Sequence, residues 1–184
     1  MKMSELSFNE FLNSFDQKIT VCRIYRCIPP SIISNKVKIQ KNKFESLKDF
    51  KNLTNLKLVW YKNEHKDPTN WDGRDAKHIE LKNDSDEIAY PKNAKKEIGK
   101  LIESFKKNGL TENIEIISVS DLSIGEEIIV DGVHRAVALY RLLQKEPNEI
   151  DKLLLSPHYG IYLINLRSSA ASILFPCDFF NFYK

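Results

Sequence analysis

The feature that most constrains this 184-residue chain is an abrupt change of periodicity within residues 127–143. Ile128, Ile129 and Val130 form a β-branched run without polar interruption, which is typical of a buried strand. Asp131-Gly132 interrupts this run. The apolar residues after the turn recur at helical spacing: Val133, Ala136, Val137, Tyr140 and Leu143. The segment therefore predicts a buried strand that passes through a tight turn directly into a helix.

The junction between this strand and this helix has the chemistry of a phosphate site. Asp131 is a favourable N-cap, since its carboxylate can accept from the first-turn amides, and Gly132 allows a tight turn and a close approach. A helix N-terminus carries about half a positive charge and attracts anions. His134 and Arg135 lie in the same turn and can add charge-assisted hydrogen bonds. A plain capped helix with solvated side chains fits the same pattern, and these residues alone do not separate the two interpretations.

The signature segment also resembles a known superfamily. Residues 130–139 read Val-Asp-Gly-Val-His-Arg-Ala-Val-Ala-Leu, which is similar to the Asp-Gly-x-His-Arg-x-x-Ala-Leu signature of the ParB/sulfiredoxin-like superfamily. Its members include ParB-type partition proteins, ParB-like nucleases, sulfiredoxins and ADP- or ATP-dependent free-serine kinases, and the signature helix binds nucleotide phosphates in these families. The upstream order is also similar: a helix ending in Gly-Leu, a strand, a turn, and then the signature strand and helix.

The resemblance covers roughly residues 79–166 and implies an α+β fold. The expected core is a small mixed sheet with flanking helices. The sequence thus predicts two parts: an N-terminal α/β extension over residues 1–77, packed on the core, and a ParB/sulfiredoxin-like core over residues 78–184 that ends in an aromatic segment.

Compared position by position, the motif agrees best with the free-serine kinases. Sulfiredoxins carry a catalytic cysteine just before the His-Arg pair, and Val133 at that position cannot form the sulfur ester. Partition-type CTP clamps carry Gly-Glu-Arg-Arg and a later arginine-bearing motif, neither of which is recognisable here. The free-serine kinases carry Asp-Gly-His-His-Arg, which differs from this chain at Val133 alone.

The kinase resemblance implies a phosphotransfer site. These kinases use a glutamate before the helix that precedes Gly-Leu, and the matching residue, Glu87, is the candidate general base; a solvent-facing acid in an acidic loop is its alternative interpretation. Asp131 either caps the helix or helps to bind Mg²⁺, and His134 is the third catalytic candidate. The residues expected to hold the phosphates of ATP, ADP or CTP are Gly132, Val133, His134 and Arg135. Phosphoryl transfer to a small hydroxyl-bearing substrate needs mainly positioning and charge neutralisation, which such a set supplies.

A lysine-rich segment favours a different function. Residues 36–51 contain six lysines against Glu45 and Asp49. Lys38, Lys41 and Lys43 could contact a phosphate backbone, as in a ParB-like DNA-binding or nuclease module. A run of lysines is more often a solvated face, and the net charge of +3 decides nothing about nucleic acid. A third interpretation is a ligand-binding or interaction domain without catalysis.

The remaining pattern alternates between short helices and strands. Helices are predicted over residues 4–15, 44–50, 92–107 and 147–152, and strands over 19–28, 56–61, 79–81, 114–119 and 159–166. Residues 31–43 read only as polar and basic, 62–77 as a turn-rich loop, and 120–126 as a turn. No apolar run is long enough for a bilayer, and the N-terminus lacks a signal peptide's apolar core. We therefore expect a cytoplasmic protein with no membrane partner.

Overall fold

The computed structural model describes residues 2–7, 10–11, 37–62, 77–83, 94–121 and 126–168. Within these ranges the fold combines α and β structure in one seven-stranded mixed sheet and four α-helices of at least eight residues. The strands are β1 (Lys2–Leu6), β2 (Val37–Lys43), β3 (Lys57–Lys62), β4 (Lys77–Glu80), β5 (Ile114–Asp121), β6 (Glu126–Asp131) and β7 (Ile161–Ser168). The helices are α1 (Leu47–Thr54), α2 (Ala94–Asn108), α3 (Val133–Lys145) and α4 (Pro147–Leu154), and a 3-10 turn covers Leu81–Asn83.

The order of the strands in the sheet is β1-β2-β7-β5-β6-β3-β4. β5 pairs in parallel with β7 and antiparallel with β6, and β3 is parallel to β6. β1, β2 and β4 each join the sheet by antiparallel pairing. Parallel strands need long crossover connections, and the helices form part of these connections. The signature strand β6 lies inside the sheet, and α3 follows it directly.

One face of the sheet, called here the front face, packs against the four helices. The strand residues in this core are Leu58, Ile114, Ile116, Ile129, Ile161 and Leu163. The residues of α3 in the same core are Val133, Ala136, Val137, Ala138, Leu139 and Leu142, so α3 is buried around more of its circumference than the predicted stripe implied. Tyr140 and Leu143 pack against this core while staying half-buried. The signature segment therefore forms the centre of the fold, as its apolar content predicted.

Most elements near the signature agree with the sequence. The predicted stripe of α2 is confirmed, with Ile98 and Phe105 buried and Leu101 and Ile102 packed beside them. Gly109 ends this helix with φ +66°, the left-handed conformation that favours glycine. β5 is longer than predicted, because Ser120 continues the pairing with Glu127 and Arg167 instead of starting a turn.

The N-terminal residues differ from the prediction. Residues 4–6 belong to β1, which pairs with β2, so the helix predicted from Ser4 is wrong there. The helical residues 10 and 11 follow Ser7, whose hydroxyl accepts from the Glu10 amide at 3.2 Å while the Glu10 carboxylate accepts from the Ser7 amide at 2.8 Å. These reciprocal hydrogen bonds form a capping box, the arrangement that is typical of a helix N-terminus. Pairing with β2, a strand that sequence reasoning missed, outweighs the local helical pattern.

The boundary predicted between residues 77 and 78 falls within β4. Strands from both sides of that position pair in one sheet, and residues from both sides share one core. The predicted strand 19–28 and the aromatic segment 175–184 lie outside the described residues, as does most of the 62–77 loop. No helix in the described ranges combines the length and hydropathy needed to cross a bilayer.

Candidate functional site

The turn between β6 and α3 is made by Gly132. This residue occupies the N-cap position of α3 with φ 74° and ψ 19°, and as a glycine it has no side chain of its own to make a cap hydrogen bond. The prediction that Asp131 is the N-cap is therefore wrong, since Asp131 is the last residue of β6. A left-handed backbone conformation is strained for residues other than glycine. The N-cap position therefore lies at Gly132, one residue later than predicted.

Gly132 is also pressed against the neighbouring strand. A Cβ atom at this position would lie 2.7 Å from the carbonyl oxygen of Glu115 and 3.1 Å from the Cα of Ile116, both in β5. Real Cβ atoms essentially never come as close as the first contact, and the second is tighter than nine in ten real Cβ contacts. Glycine is thus required here twice, by the backbone conformation and by the close approach of β5, and this packing sets the position of the whole first turn of α3.

The first turn of α3 brings together the four residues predicted to hold phosphate, and we call Gly132, Val133, His134 and Arg135 the cradle. The Ala136 amide donates to the Gly132 carbonyl at 2.8 Å and closes the turn. The earlier amides have no acceptor within the helix. Val133 is buried and offers a ligand only its backbone, whereas His134 and Arg135 are partly exposed. The cradle therefore combines backbone donors with two accessible basic side chains.

Arg135 has a weak neighbour of opposite charge. Its Nη2 atom lies 3.7 Å from Oε1 of Glu112, and the two side chains are 37% and 67% exposed. This distance is too long for a hydrogen bond, and exposed ion pairs contribute little. A stronger anion can therefore displace Glu112 from Arg135 at little cost.

The start of α2 lies beside the start of α3. The Lys100 side chain, which donates to Glu97 at 2.9 Å, lowers the pKa of the Glu97 carboxyl, and the charges of Lys96 and His134 lower this pKa further. Glu97 is in the first turn of α2, so this turn is within electrostatic range of His134. Near the other end of α2, Lys106 Nζ lies 3.0 Å from Oε1 of Glu146, directly after α3.

These contacts show that α2 and α3 run side by side in the same direction. Both helices carry the partial positive charge of their N-termini, and the two N-termini lie together. The dipoles therefore add at the cradle, where they favour negative charge.

The other residues predicted for the site are Asp131, as a catalytic residue and Mg²⁺ ligand, and Glu87, as the general base. Asp131 is half-buried at the end of β6, next to the cradle, and makes interactions of its own. Across the described ranges, no three His, Cys, Asp or Glu side chains form a metal-binding group. Binding of Mg²⁺ through Asp131 stays a prediction. Glu87 lies outside the described residues, and its role as general base also stays a prediction.

The three lysines predicted to contact nucleic acid do not share a face of the sheet. They lie on β2, where side chains alternate, so Lys41 and Lys43 lie on one face and Lys38 on the other. Lys41 is further engaged, with Nζ 2.6 Å from Oε1 of Glu115 and 4.4 Å from the centroid of the Tyr162 ring. The lysine-rich sequence therefore does not fold into a single basic patch on the sheet.

Sequence reasoning missed a polar network on the front face. Its residues are Ser118, Ser120, Glu127, Asn165 and Arg167. A signal was present, because the front-facing positions of β5 and β7 change from isoleucine and leucine to serine, asparagine and arginine along each strand. Such a change within a buried strand is unusual, since buried polar groups are costly without partners.

No family model, no curated protein and no solved structure matches this chain. The likeness to the ParB/sulfiredoxin-like superfamily therefore depends on the signature segment and on the order of elements around it.

Proposed function

We propose that the cradle binds the phosphates of a nucleotide, and that the protein is a phosphotransferase with a ParB/sulfiredoxin-like core acting on a small hydroxyl-bearing molecule. One observation carries the proposal: α3 starts at Gly132, which has no side chain, and presents the partly exposed His134 and Arg135 beside the N-terminus of α2. Helix N-termini of this kind are ready-made phosphate sites, because amides and dipoles both favour the anion.

The basic side chains of the cradle support this interpretation against a purely structural turn. Packing against β5 accounts for Gly132 whether or not a ligand binds. It does not account for Arg135, whose only partner in the described part of the chain is the distant and exposed Glu112. The guanidinium presents paired donors that match phosphate oxygens in a bidentate manner.

The proposed reaction moves the terminal phosphoryl group of ATP or ADP to the oxygen of the acceptor hydroxyl. Glu87 takes the hydroxyl proton, and the shortened nucleotide leaves from the cradle. Arg135, His134 and the first-turn amides neutralise charge on the phosphates, the contribution on which phosphoryl transfer mainly depends. Asp131, the residue before the cradle, would hold Mg²⁺ beside those phosphates, and the ion would add to the same neutralisation.

The binding step is tested by calorimetry and thermal shift with ATP, ADP and CTP, each with and without Mg²⁺. A bound nucleotide stabilises the folded state by mass action, by about 2.7 kcal/mol at one hundred times its Kd. We expect saturable binding that Arg135→Ala reduces at least tenfold. Lys145→Ala removes one positive charge from the other end of the same helix and should leave affinity unchanged. An equal loss of nucleotide affinity in both variants would show that only the net charge matters, and it would contradict the proposal.

The chemical step needs a separate measurement, because binding alone also fits a non-catalytic ligand domain. Phosphorus NMR would follow phosphoryl transfer from ATP or ADP to a panel of small hydroxyl acceptors. We expect Glu87→Gln to abolish transfer while nucleotide affinity is retained. Nucleotide binding without transfer would support the non-catalytic alternative. Salt-sensitive DNA binding that is lost on neutralising Lys38, Lys41 and Lys43, without nucleotide binding, would support the ParB-like DNA-binding alternative.

A further inference from the structure

The polar network on the front face is organised around Asn165, which is 2% exposed. Its Nδ2 atom lies 2.9 Å from Ser118 Oγ, 2.8 Å from Ser120 Oγ and within hydrogen-bond reach of the Glu127 carboxylate, and its two hydrogens are shared among these three acceptors. Its Oδ1 atom accepts from Arg167 Nε at 2.9 Å. Ser118 also donates to Glu127 at 2.6 Å. One buried amide therefore links a carboxylate on β6 to a guanidinium at the end of β7.

The charges at the two ends fix the orientation of this amide. An ionised glutamate can only accept and an arginine can only donate, so the amide nitrogen must face Glu127 and the oxygen must face Arg167. Hydrogen bonds in such a chain polarise and strengthen one another. Arg167, although exposed, is thus held through its Nε atom, and its two terminal amino groups remain available for other partners.

A second cation lies directly beside Arg167. Lys38 on β2 is the cross-strand partner of Arg167, and both side chains are exposed on the same face. Like charges in this arrangement destabilise a sheet. Within the described ranges neither cation has an ion-pair partner, so no carboxylate there offsets the repulsion. An anion bound between the two side chains would offset it.

We propose that Lys38 and Arg167 form an oxyanion clamp for the phosphate or carboxylate group of a small ligand, with Asn165 as the residue that positions Arg167. In-register pairing puts Lys38, Arg167, Ser120 and Glu127 in one row across four strands. At about 4.8 Å per strand, Glu127 lies roughly 10 Å from Arg167 along this row. Hydroxyl or ammonium groups of the ligand would meet Glu127 at that end.

The oxyanion clamp is a different site from the cradle. Glu127 and Asp131 lie near opposite ends of β6, and a strand rises about 3.3 Å per residue, so the row and the cradle are roughly 13 Å apart along the strand. The proposal therefore does not depend on nucleotide binding at the cradle, and either site can fail without the other.

A purely structural role for the network makes a different prediction. If Lys38 and Arg167 only solvate the end of the sheet, replacing them changes no ligand affinity. The oxyanion clamp instead predicts that Lys38→Ala leaves the free protein as stable or slightly more stable, because the repulsion is relieved, while anion binding is weakened.

The test is calorimetric titration with inorganic phosphate, and separately with acetate, in an Arg135→Ala background that removes the contribution of the cradle. We expect saturable binding that Arg167→Ala weakens about tenfold or more, as for the loss of a charge-assisted bidentate contact. Arg167→Lys keeps the charge but loses the Nε hydrogen bond, so it should also bind weakly. Binding of phosphate alone or of acetate alone would identify which oxyanion the ligand carries.

Lys48→Ala is the matched control, since Lys48 is an exposed lysine on α1, outside the network. Its affinity for phosphate should equal that of the background protein. The proposal is overturned if Lys38→Ala and Arg167→Ala bind phosphate and acetate as the background does, or if neither anion binds. It is equally overturned if duplex DNA binds through Lys38 and Arg167 while both small anions do not, because the partner is then a nucleic acid.

Discussion

The helices α1 and α3 begin in opposite ways. At the start of α1, Asp49 reaches back with Oδ2, which accepts from the amides of Glu45 at 2.9 Å and Ser46 at 3.1 Å. The N-cap residue there, Ser46, has an extended backbone with φ −151°. At the start of α3, Gly132 has φ 74° and contributes no side chain. The N-terminus of α1 is closed by side chains of its own first turn, whereas the N-cap residue of α3 has no side chain that could do so.

This difference separates a helix start that is fixed by its own side chains from one that is fixed by the packing of its backbone. α1 stabilises its N-terminus by local hydrogen bonds, so its residues there are already engaged. α3 is positioned by the contact of Gly132 with β5, and the exposed pair of Arg135 with Glu112 contributes little to the fold. Substitutions at the two starts should therefore divide into those that change stability and those that change only binding.

The largest expected effect is at Gly132. Gly132→Ala forces a left-handed conformation on alanine and pushes a methyl group against the Glu115 carbonyl, so we expect a loss of about 2 kcal/mol or more in the free energy of unfolding. Urea denaturation measures it. Gly99→Ala is the control, since Gly99 lies within α2 with open space around it, and alanine there should stabilise by about 0.5 to 1 kcal/mol. Equal effects of the two substitutions would contradict the packing argument.

The next effect is at the start of α1. Asp49→Ala removes the carboxylate that accepts from two amides, and we expect a loss of about 1 kcal/mol in the free energy of unfolding. Asp151→Ala removes an exposed carboxylate from α4 and should change this free energy by less than about 0.5 kcal/mol. A loss at Asp49 no larger than that at Asp151 would show that α1 does not depend on its cap.

The same carboxylate makes the stability of α1 depend on pH. Burial alone would raise the pKa of Asp49, but the hydrogen bonds from the Glu45 and Ser46 amides outweigh it and the pKa is lowered. A lowered pKa means that the stabilisation is complete above the unfolded value of about 3.9 and is lost as the pH falls through the folded value. The difference in unfolding free energy between the protein and Asp49→Asn should therefore shrink in acid. A difference that is constant with pH would exclude the charged cap.

The contrast between the two helix starts also explains what the sequence could predict. The strand, turn and helix of the signature could be predicted from neighbouring residues alone. The buried stripe of α2 and the glycine that ends this helix could be predicted in the same way. β1 and β2 depend on pairing between segments far apart in the chain, which no local window contains. The sequence predicts the N-cap of α3 one residue too early, because it shows that Asp131 can cap a helix but not that β5 lies against Gly132.

The same distinction between local and long-range contacts applies to the candidate sites. The cradle is contiguous in sequence, so its four residues could be named from one motif. The polar network joins residues from three strands, and it exists only because in-register pairing brings Ser118, Glu127 and Asn165 together. Each of these residues alone looks like a polar interruption in a strand. Their contact with one another can be predicted only when the order of the strands is known.

The smallest effect on stability is expected where the cradle meets solvent. Glu112→Gln removes the carboxylate 3.7 Å from Arg135, and an exposed pair of this kind contributes less than about 1 kcal/mol, so the unfolding free energy should hardly change. Nucleotide affinity should rise by at most about fivefold, since Arg135 no longer interacts with a competing anion. Glu103→Gln, an exposed change on α2, is the charge-matched control and should leave affinity unchanged. If Glu112→Gln instead weakened nucleotide binding, Arg135 would need Glu112 to orient it, and the first turn of α3 would be a structural start like that of α1.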